Sequence, residues 1–187
     1  MAQYHAIAAV GSTIVALLRD HCPSDLAKGS EFQLYAPANF AAPMDQGLSL
    51  MLYRISTQMF SDKGYSAQSR PLELQYLLTA WAPSVEMQHH LLGYSISCIR
   101  DNPKISPETL NKYAPQFDFR NSDQHVQVLD ESMDIAESDR LTIGDTLKTK
   151  VPVSMSIRVT NILLDSMSTD SDKLSIPVSI YTKSKIE

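Results

Sequence analysis

Residues 71–103 constrain the fold of this chain most, because a strand pattern there passes within a few residues into a helix pattern. In the first half, apolar side chains occupy alternate positions, which predicts a strand with one buried face made of Leu72, Leu74, Tyr76 and Leu78. Pro83 then ends the strand, because proline has no N–H to donate to a neighbouring strand. Ser84 follows as a candidate N-cap, so the sequence predicts that a helix begins there.

The predicted helix ends at residue 101, because Asn102 precedes Pro103 and a residue before proline is displaced from helical geometry. Its apolar side chains recur at helical spacing and form a stripe of Val85, Leu92, Ile96 and Ile99, widened by Leu91 and Cys98. A strand and an amphipathic helix joined this closely can bury their apolar faces against each other. The stretch therefore predicts one half of an α/β layer.

The part of the chain before residue 71 adds a long helix and two strands. Residues 2–21 are predicted to be helical, with an apolar stripe of Tyr4, Ile7, Ala8, Gly11, Ile14, Val15 and Leu18. Gly11 lies within this stripe, which indicates close packing on a neighbouring element. Residues 31–37 and 48–60 are predicted strands, separated by a loop at residues 37–47. The second strand is apolar on both faces near its middle, so we expect a central strand covered on both sides.

The predicted elements after residue 103 are shorter. Ser106 and Pro107 suit the N-cap and the first position of a short helix. The other predictions are a strand at 125–129, a helix at 138–146, and loops at 61–70 and 115–124.

The C-terminal part is predicted to form a β-hairpin. Residues 151–164 alternate between apolar and polar side chains and form the clearest half-buried strand of the sequence. Residues 174–182 alternate again, and the polar turn at 166–173 connects the two strands. A hairpin spanning residues 151–182 is therefore expected.

Length and composition fit a single domain covering residues 1–187. Hydrophobic residues make up 43% of the chain, which is enough for a sizeable core. The formal net charge is −5, and lysine and arginine do not cluster, so no groove for nucleic acid is expected. The apolar run at residues 6–18 is too short to cross a bilayer, so no membrane segment is expected either. Cys22 and Cys98 are expected to be reduced, structural thiols of an intracellular protein.

Two groups of neighbouring residues have side chains that could support chemistry. His89 and His90 are adjacent in the predicted helix and point about 100° apart, so they do not readily chelate one metal ion. Asp20, His21 and Cys22 contain the residue types of a thiol–imidazole dyad, but adjacent residues seldom align these groups. We therefore interpret the histidines as a solvated or interface pair and the other three as the end of a helix.

An acidic run is the third candidate. It lacks the glycine and the fixed spacing of a calcium-binding loop, so it is interpreted as a solvated loop. Its members are Asp130, Glu131, Asp134, Glu137 and Asp139. We expect no catalytic, metal-binding or cofactor-binding residue and no cofactor.

A family resemblance lies in the same stretch as the strand and helix described first. The matching residues follow one another in the order and spacing of the N-terminal domain of the cap proteins of extracellular contractile injection systems. These caps are the tube terminators of phage-tail-like particles. The residues that resemble the family are Pro71-Leu72, Leu74, residues 76–80, Leu91-Leu92-Gly93 and Asp101-Asn102-Pro103, preceded by Leu50, Leu52, Tyr53 and Arg54.

The patterns predict an α/β (α+β) fold in which a mixed or mainly antiparallel sheet packs against two main helices. The resemblance implies that this fold is phage tail-terminator-like and that the protein is a structural cap, not an enzyme. It further implies a homo-hexameric ring on the last layer of the inner tube protein, which ends tube and sheath polymerisation and anchors the contractile sheath protein. Assembly is expected in the cytoplasm, as part of a particle that is released or membrane-associated.

Two alternatives remain at the level of the sequence. The first is another tail component of the same kind of particle, such as a tube or baseplate adaptor. The second is a small cysteine-dependent enzyme, for which Asp20, His21 and Cys22 are the candidate residues.

Overall fold

The computed structural model describes residues 5–57, 69–115, 126–130, 143–145 and 152–165. Its helices are α1 (Ala6–Asp20), α2 (Ser24–Ala27), α3 (Val85–Asp101) and α4 (Pro107–Tyr113), with a 3-10 helix at Pro37–Ala41. Its strands are β1 (Glu31–Leu34), β2 (Gly47–Thr57), β3 (Ser69–Trp81), β4 (Lys104–Ile105), β5 (Val126–Asp130) and β6 (Ser154–Asp165). Residues 143–145 are also helical.

The six strands form one sheet in the order β1-β2-β3-β6-β5-β4. The pair β1–β2 is parallel, and every other neighbouring pair is antiparallel. The prediction of a mixed or mainly antiparallel sheet is thus confirmed. Strand β3, which belongs to the stretch at residues 71–103 described first, lies inside the sheet between β2 and β6, while the two short strands β1 and β4 lie at the edges.

The main core lies between one face of the sheet and the helices α1, α3 and α4. Alternate residues of β3 and β6 point into it, as the pleat of a strand requires. Four of them, Leu74, Leu78, Ile157 and Val159, are completely buried. The predicted apolar face of β3 is confirmed, because Leu72 and Tyr76 are buried in the same core.

Helix α3 begins where the sequence predicted, and its buried face agrees with the predicted stripe only in part. The Ser84 hydroxyl accepts a hydrogen bond from the Met87 N–H, so Ser84 is the N-cap. The buried residues are Leu91, Ser95, Cys98 and Ile99, whereas Leu92 and Ile96 are only partly buried and Val85 is 65% exposed. The predicted stripe is therefore confirmed at Leu91, Cys98 and Ile99, holds only in part at Leu92 and Ile96, and was wrong at Val85. The centre of the true face is a serine, which a search for apolar spacing does not find.

Helix α1 ends near its predicted end, and residues 2–4 of the predicted helix lie outside the described residues. Close packing at Gly11 is confirmed, since a Cβ atom there would lie 3.2 Å from Leu34 Cδ2 and 3.3 Å from the Tyr76 hydroxyl. The stripe of α1 was wrong at Ala8, which is exposed, and it missed the buried residues Thr13 and Val10.

The opposite face of the sheet carries a second, smaller core. Rings of Tyr35, Phe40 and Trp81 pack together with centroids 5.5–6.1 Å apart, and Met51, Leu77 and Ile143 complete the cluster. The predicted loop at residues 37–47 thus contains the 3-10 helix, which brings Phe40 onto the sheet. Because of this cluster, the first half of β2 is covered on both faces, as predicted; its second half, from Arg54, is largely exposed.

The remaining predictions are confirmed in part. Ser106 caps α4, and β5 and β6 form where strands were predicted. However, Val153 precedes β6 and is 61% exposed, so the apolar alternation began too early. The predicted loop at 61–70 ends in residues that belong to β3, and the rest of it lies outside the described residues.

Three other predicted segments fall largely beyond what the structure describes. Of the loop at 115–124 only residue 115 is described, and of the helix at 138–146 only 143–145, which are helical. Residues 174–182 lie outside the described residues, so the hairpin at 151–182 stays a prediction.

Candidate functional site

Asp20 and His21 lie at the C-terminal end of α1 and are bound to groups other than Cys22. The Tyr113 hydroxyl donates to Asp20 Oδ2 at 2.7 Å, and Lys112 Nζ lies 3.7 Å from the same oxygen. The hydrogen bond from Tyr113 holds the pKa of the Asp20 carboxyl below its usual range. His21 Nδ1 lies 3.0 Å from the Leu17 carbonyl oxygen, so the ring is positioned by its own helix. This geometry fastens α1 to α4 and forms no dyad with the thiol.

Cys22 is partly buried beside the main core. Burial raises the pKa of its thiol, and the nearby Asp25 carboxylate raises that pKa further. A thiol whose pKa is raised is protonated at neutral pH and is therefore a poor nucleophile. The environment of Cys22 is thus opposite to that of a catalytic cysteine.

Alkylation of Cys22 is expected to be slow at pH 7 and to reach its half-maximal rate above the ordinary cysteine pKa of about 8.5. The measurement is the rate of reaction with iodoacetamide from pH 6 to 10. A Cys98→Ala variant leaves Cys22 as the single thiol, because the chain has two cysteines. Rapid modification at pH 7 would support the alternative of a cysteine-dependent enzyme.

His89 and His90 are both exposed on α3. His90 Nε2 lies 3.8 Å from Glu86 Oε1, one helical turn earlier. Within the described residues, no three His, Cys, Asp or Glu side chains are close enough together to hold a metal ion. Of the acidic run, Asp130 ends β5, and the other four residues lie outside the described part of the chain.

Replacing both His89 and His90 with alanine is expected to leave metal content and folding unchanged. The two side chains are solvated, and alanine is the best helix former, so the thermal midpoint should move by no more than a few degrees. Elemental analysis of the purified protein and a melting curve test this. One zinc ion per chain in the wild type, absent from the variant, would contradict the solvated interpretation.

One cavity lies between α1, α3 and β4 and is lined by apolar groups, including Leu18, Cys98 and Ile105. Its volume is about 10 Å³, which is barely enough for one water molecule and too small for a substrate. No helix among the described residues is long and apolar enough to cross a bilayer.

Among the described residues, β1 and β4 form the two edges of the sheet. At the β1 edge, Arg19 Nη2 donates to the Phe32 carbonyl oxygen at 3.2 Å and so covers one acceptor of the edge strand. Beyond Leu50, β2 extends past the end of β1. Four large apolar side chains of the described residues are exposed, namely Leu34, Ile55, Val85 and Val153. Sequence reasoning missed the role of Arg19, because its partner oxygen belongs to a strand thirteen residues away.

Comparison with protein families matches residues 9–176 to the Pvc16 N-terminal domain. The chain belongs to the Pvc16 N-terminal domain family. The match includes both the β3–α3 unit and the earlier strand that showed the resemblance, so the family predicted from the sequence is confirmed. Within the family domain, β3 is an inner strand of the sheet and α3 packs against it.

Two solved structures share the fold of this Pvc16 N-terminal domain. One is the sheath/tube terminator of an extracellular contractile injection system, PVC, in the extended state, with 15% identity and a TM-score of 0.57; the match covers 97% of this chain and 63% of that one. The other is the tube-terminating cap of the anti-feeding prophage, with 12% identity and a TM-score of 0.55, covering 94% and 60%. The chain thus spans about three fifths of the length of these proteins. A search of functionally curated proteins found no match.

Proposed function

We propose that this protein is the structural cap of a contractile injection particle, which ends polymerisation of the inner tube and the sheath and anchors the sheath. The observation that carries this proposal is the family match over residues 9–176. The fold shared with two terminators supports it. The chain works without catalysis, and its partners are further copies of itself, the inner tube protein and the sheath protein.

A terminator has to bind the open end of a helical polymer without offering a matching end for further growth. A closed ring meets this requirement, because both side surfaces of every subunit are occupied by its neighbours in the ring. Six copies match a sixfold tube and sheath. Each subunit then needs two different side surfaces and one axial surface, and the exposed strand edges supply candidates for the side surfaces. The ring assembles in the cytoplasm as part of a particle that acts outside the producing cell.

Deleting residues 174–187 is expected to abolish capping while the tube and sheath proteins are still made. The deletion removes the second strand of the predicted hairpin, whose edge we propose as a side surface of the subunit, so the ring should not close. Particles should be absent, or long and variable in length, when viewed by electron microscopy.

Two controls accompany this deletion. The full-length protein, supplied from a second copy of its gene, should restore one fixed particle length. A Val178→Asp variant places a charge within the predicted strand, so it should reproduce the defect if capping requires this strand to pair. Circular dichroism should show that both altered chains are folded. Truncated protein that still yields particles of one fixed length with a normal cap would refute the role of this segment.

A further inference from the structure

The connection between β1 and β2 is an exposed loop without charge. Residues 32–44 contain no Asp, Glu, Lys, Arg or His, whereas about a quarter to a third of the residues on a soluble protein surface are charged. In the 36–43 loop, which contains the 3-10 helix, every residue except Phe40 is exposed. Apart from Asn39, the exposed residues are alanines and prolines, namely Ala36, Pro37, Ala38, Ala41, Ala42 and Pro43. The loop is therefore an uncharged, apolar part of the surface, which is a feature of protein interaction sites.

Packing and hydrogen bonds hold this loop in one conformation. The Phe40 ring is 5% exposed and packs on Tyr35 with the ring centroids 5.6 Å apart. The Tyr35 hydroxyl accepts a hydrogen bond from the Met44 N–H at 2.7 Å, and Asn39 Oδ1 accepts one from the Ala36 N–H at 2.8 Å. A surface that is already fixed loses little conformational entropy when a partner binds. The loop is thus pre-organised for contact with another molecule.

The loop has few main-chain N–H groups to offer a partner. Pro37 and Pro43 have none, because the proline ring replaces the hydrogen. Four other N–H groups are bonded inside the protein, namely those of Ala36, Asn39, Ala42 and Met44. The loop therefore presents mainly carbonyl oxygens, alanine methyl groups and proline rings. A matching partner supplies hydrogen-bond donors and no charge, because a charge buried against this surface would be left unpaired.

Tyrosine and tryptophan combine the two properties that this surface requires. Each presents a flat apolar ring that ends in one polar group, the O–H of tyrosine or the N–H of tryptophan. In several protein modules, grooves lined with such rings bind proline-rich segments. The chemistry of the loop therefore favours a partner surface that is lined with these two aromatic residues.

The described surface of this chain does not itself provide such a partner. In the part of the chain that the structure describes, every aromatic side chain is buried or half-buried. The polar groups of the half-buried ones are already bonded, namely the hydroxyls of Tyr53, Tyr94 and Tyr113 and the indole N–H of Trp81. The formal net charge of −5 also disfavours contact between copies. A different protein is therefore the better match for the loop.

We propose that the 36–43 loop is a docking surface for a different protein, whose contact area is uncharged and lined with tyrosine or tryptophan. This inference rests on the proposed cap function, under which the chain contacts other proteins of the particle. The aromatic rings stack on the exposed prolines and alanines, while their O–H and N–H groups donate to carbonyl oxygens of the loop. Because the loop lies beside the edge strand β1, a partner reaches it without disturbing the main core.

Ala38→Arg tests this contact, because it adds a charge and a long side chain to the loop. Ala38 is exposed, so the isolated variant should keep the wild-type Trp81 fluorescence and, by native mass spectrometry, the wild-type oligomeric state. The amount of the protein retained in purified particles should fall at least about tenfold, as measured by quantitative mass spectrometry. Ala8→Arg is the matched control, since it makes the same change at an exposed alanine of α1; it should be retained like the wild type.

Retention of Ala38→Arg at the wild-type level overturns the docking surface. A changed oligomeric state of the isolated variant overturns it too, because the loop would then join copies of this chain. Neither result bears on the cap function. That function is refuted instead if particles made without the protein have normal length and a normal end.

Photo-crosslinking in purified particles is the second measurement, and it does not depend on a disruptive substitution. The photo-reactive residue p-benzoylphenylalanine replaces Ala41 in one sample and Ala8 in the other, and mass spectrometry identifies the linked peptides. The expected product joins position 41 to a peptide of another protein that contains tyrosine or tryptophan, and it is absent from the second sample. The inference is overturned by a link to a peptide of this chain, by a linked peptide without either aromatic residue, by the same product from both positions, or by no product.

Discussion

Replacing Gly47 with alanine is expected to detach β1 from the sheet and to lower the free energy of unfolding by about 3–5 kcal/mol. Gly47 is the first residue of β2 and has a φ of 141°, a conformation that residues with a Cβ rarely adopt. A Cβ there would lie 1.9 Å from the Glu31 carbonyl oxygen and 2.6 Å from the Glu31 nitrogen. Both atoms are main-chain atoms of β1, so a side-chain rotation cannot relieve the overlap.

The loss should extend beyond β1 to the second core. Glu31 pairs with Gly47 in the parallel register, and the chain leaving β1 supplies Tyr35 and Phe40 to the aromatic cluster around Trp81. Trp81 is the single tryptophan of the chain, and its indole N–H donates to the Ser49 hydroxyl at 2.7 Å. Its fluorescence should therefore shift to longer wavelength in the variant, and the thermal midpoint should fall by roughly 10 °C or more.

Gly93→Ala is the matched control for this substitution. Gly93 lies on the exposed side of α3, and a Cβ there would meet nothing within 4 Å. Alanine favours a helix over glycine by about 0.5–1 kcal/mol, so this variant should be as stable as the wild type or more so. If Gly47→Ala unfolds at the same temperature as Gly93→Ala with unchanged fluorescence, the parallel β1–β2 register described here is wrong.

The elements that the sequence predicted well depend on local signals. Ser84 and Ser106 form caps with groups three residues away, and the alternating face of β3 follows from the pleat of a single strand. The family resemblance succeeded for the same reason, because its residues lie within one continuous unit of β3 and α3. Such features need no knowledge of which other elements pack against them.

The features that the sequence did not predict depend on contacts between distant segments. Strand β1 is parallel to β2 and is joined to it by a connection that contains a 3-10 helix, and nothing local in residues 31–37 indicates this pairing. The difference in length between β1 and β2 and the bulge at Tyr53 are likewise indicated by no local pattern. Candidate residues for chemistry were a different case: Asp20 and His21 have their own partners in the structure, which a sequence cannot supply.

Helix α3 shows the same limit within a well-predicted element. The apolar spacing placed Leu92 in the stripe and Leu91 beside it, whereas the structure buries Leu91 completely and leaves Leu92 partly exposed. Ser95 lies on the buried face, and its hydroxyl donates to the Leu92 carbonyl oxygen at 2.8 Å, which satisfies the group without water. Because a buried serine can meet its hydrogen-bonding need inside its own helix, polarity alone does not exclude a residue from the core.

Leu91→Asp is therefore expected to be the most damaging single change in α3. Leu91 has no exposed surface in a core formed by the sheet and the helices, so the substitution leaves a cavity and an unpaired charge. Removal of a buried leucine alone costs about 2–5 kcal/mol, and the charge adds to that loss. Since small domains are stable by only about 5–15 kcal/mol, the variant should be insoluble or largely unfolded.

Leu92→Asp provides the comparison, because it makes the same chemical change at the neighbouring position. Leu92 is partly exposed, so the carboxylate of an aspartate at this position can turn toward water. The variant should therefore fold, with a lowered melting temperature. Urea unfolding of the soluble variants, together with Leu91→Ala and Leu92→Ala, measures the difference. The order of the two variants reverses if Leu92, and not Leu91, faces the core. In that event α3 would be rotated on the sheet, and the strands that it covers, β3 and β5, would have to bury a different set of side chains.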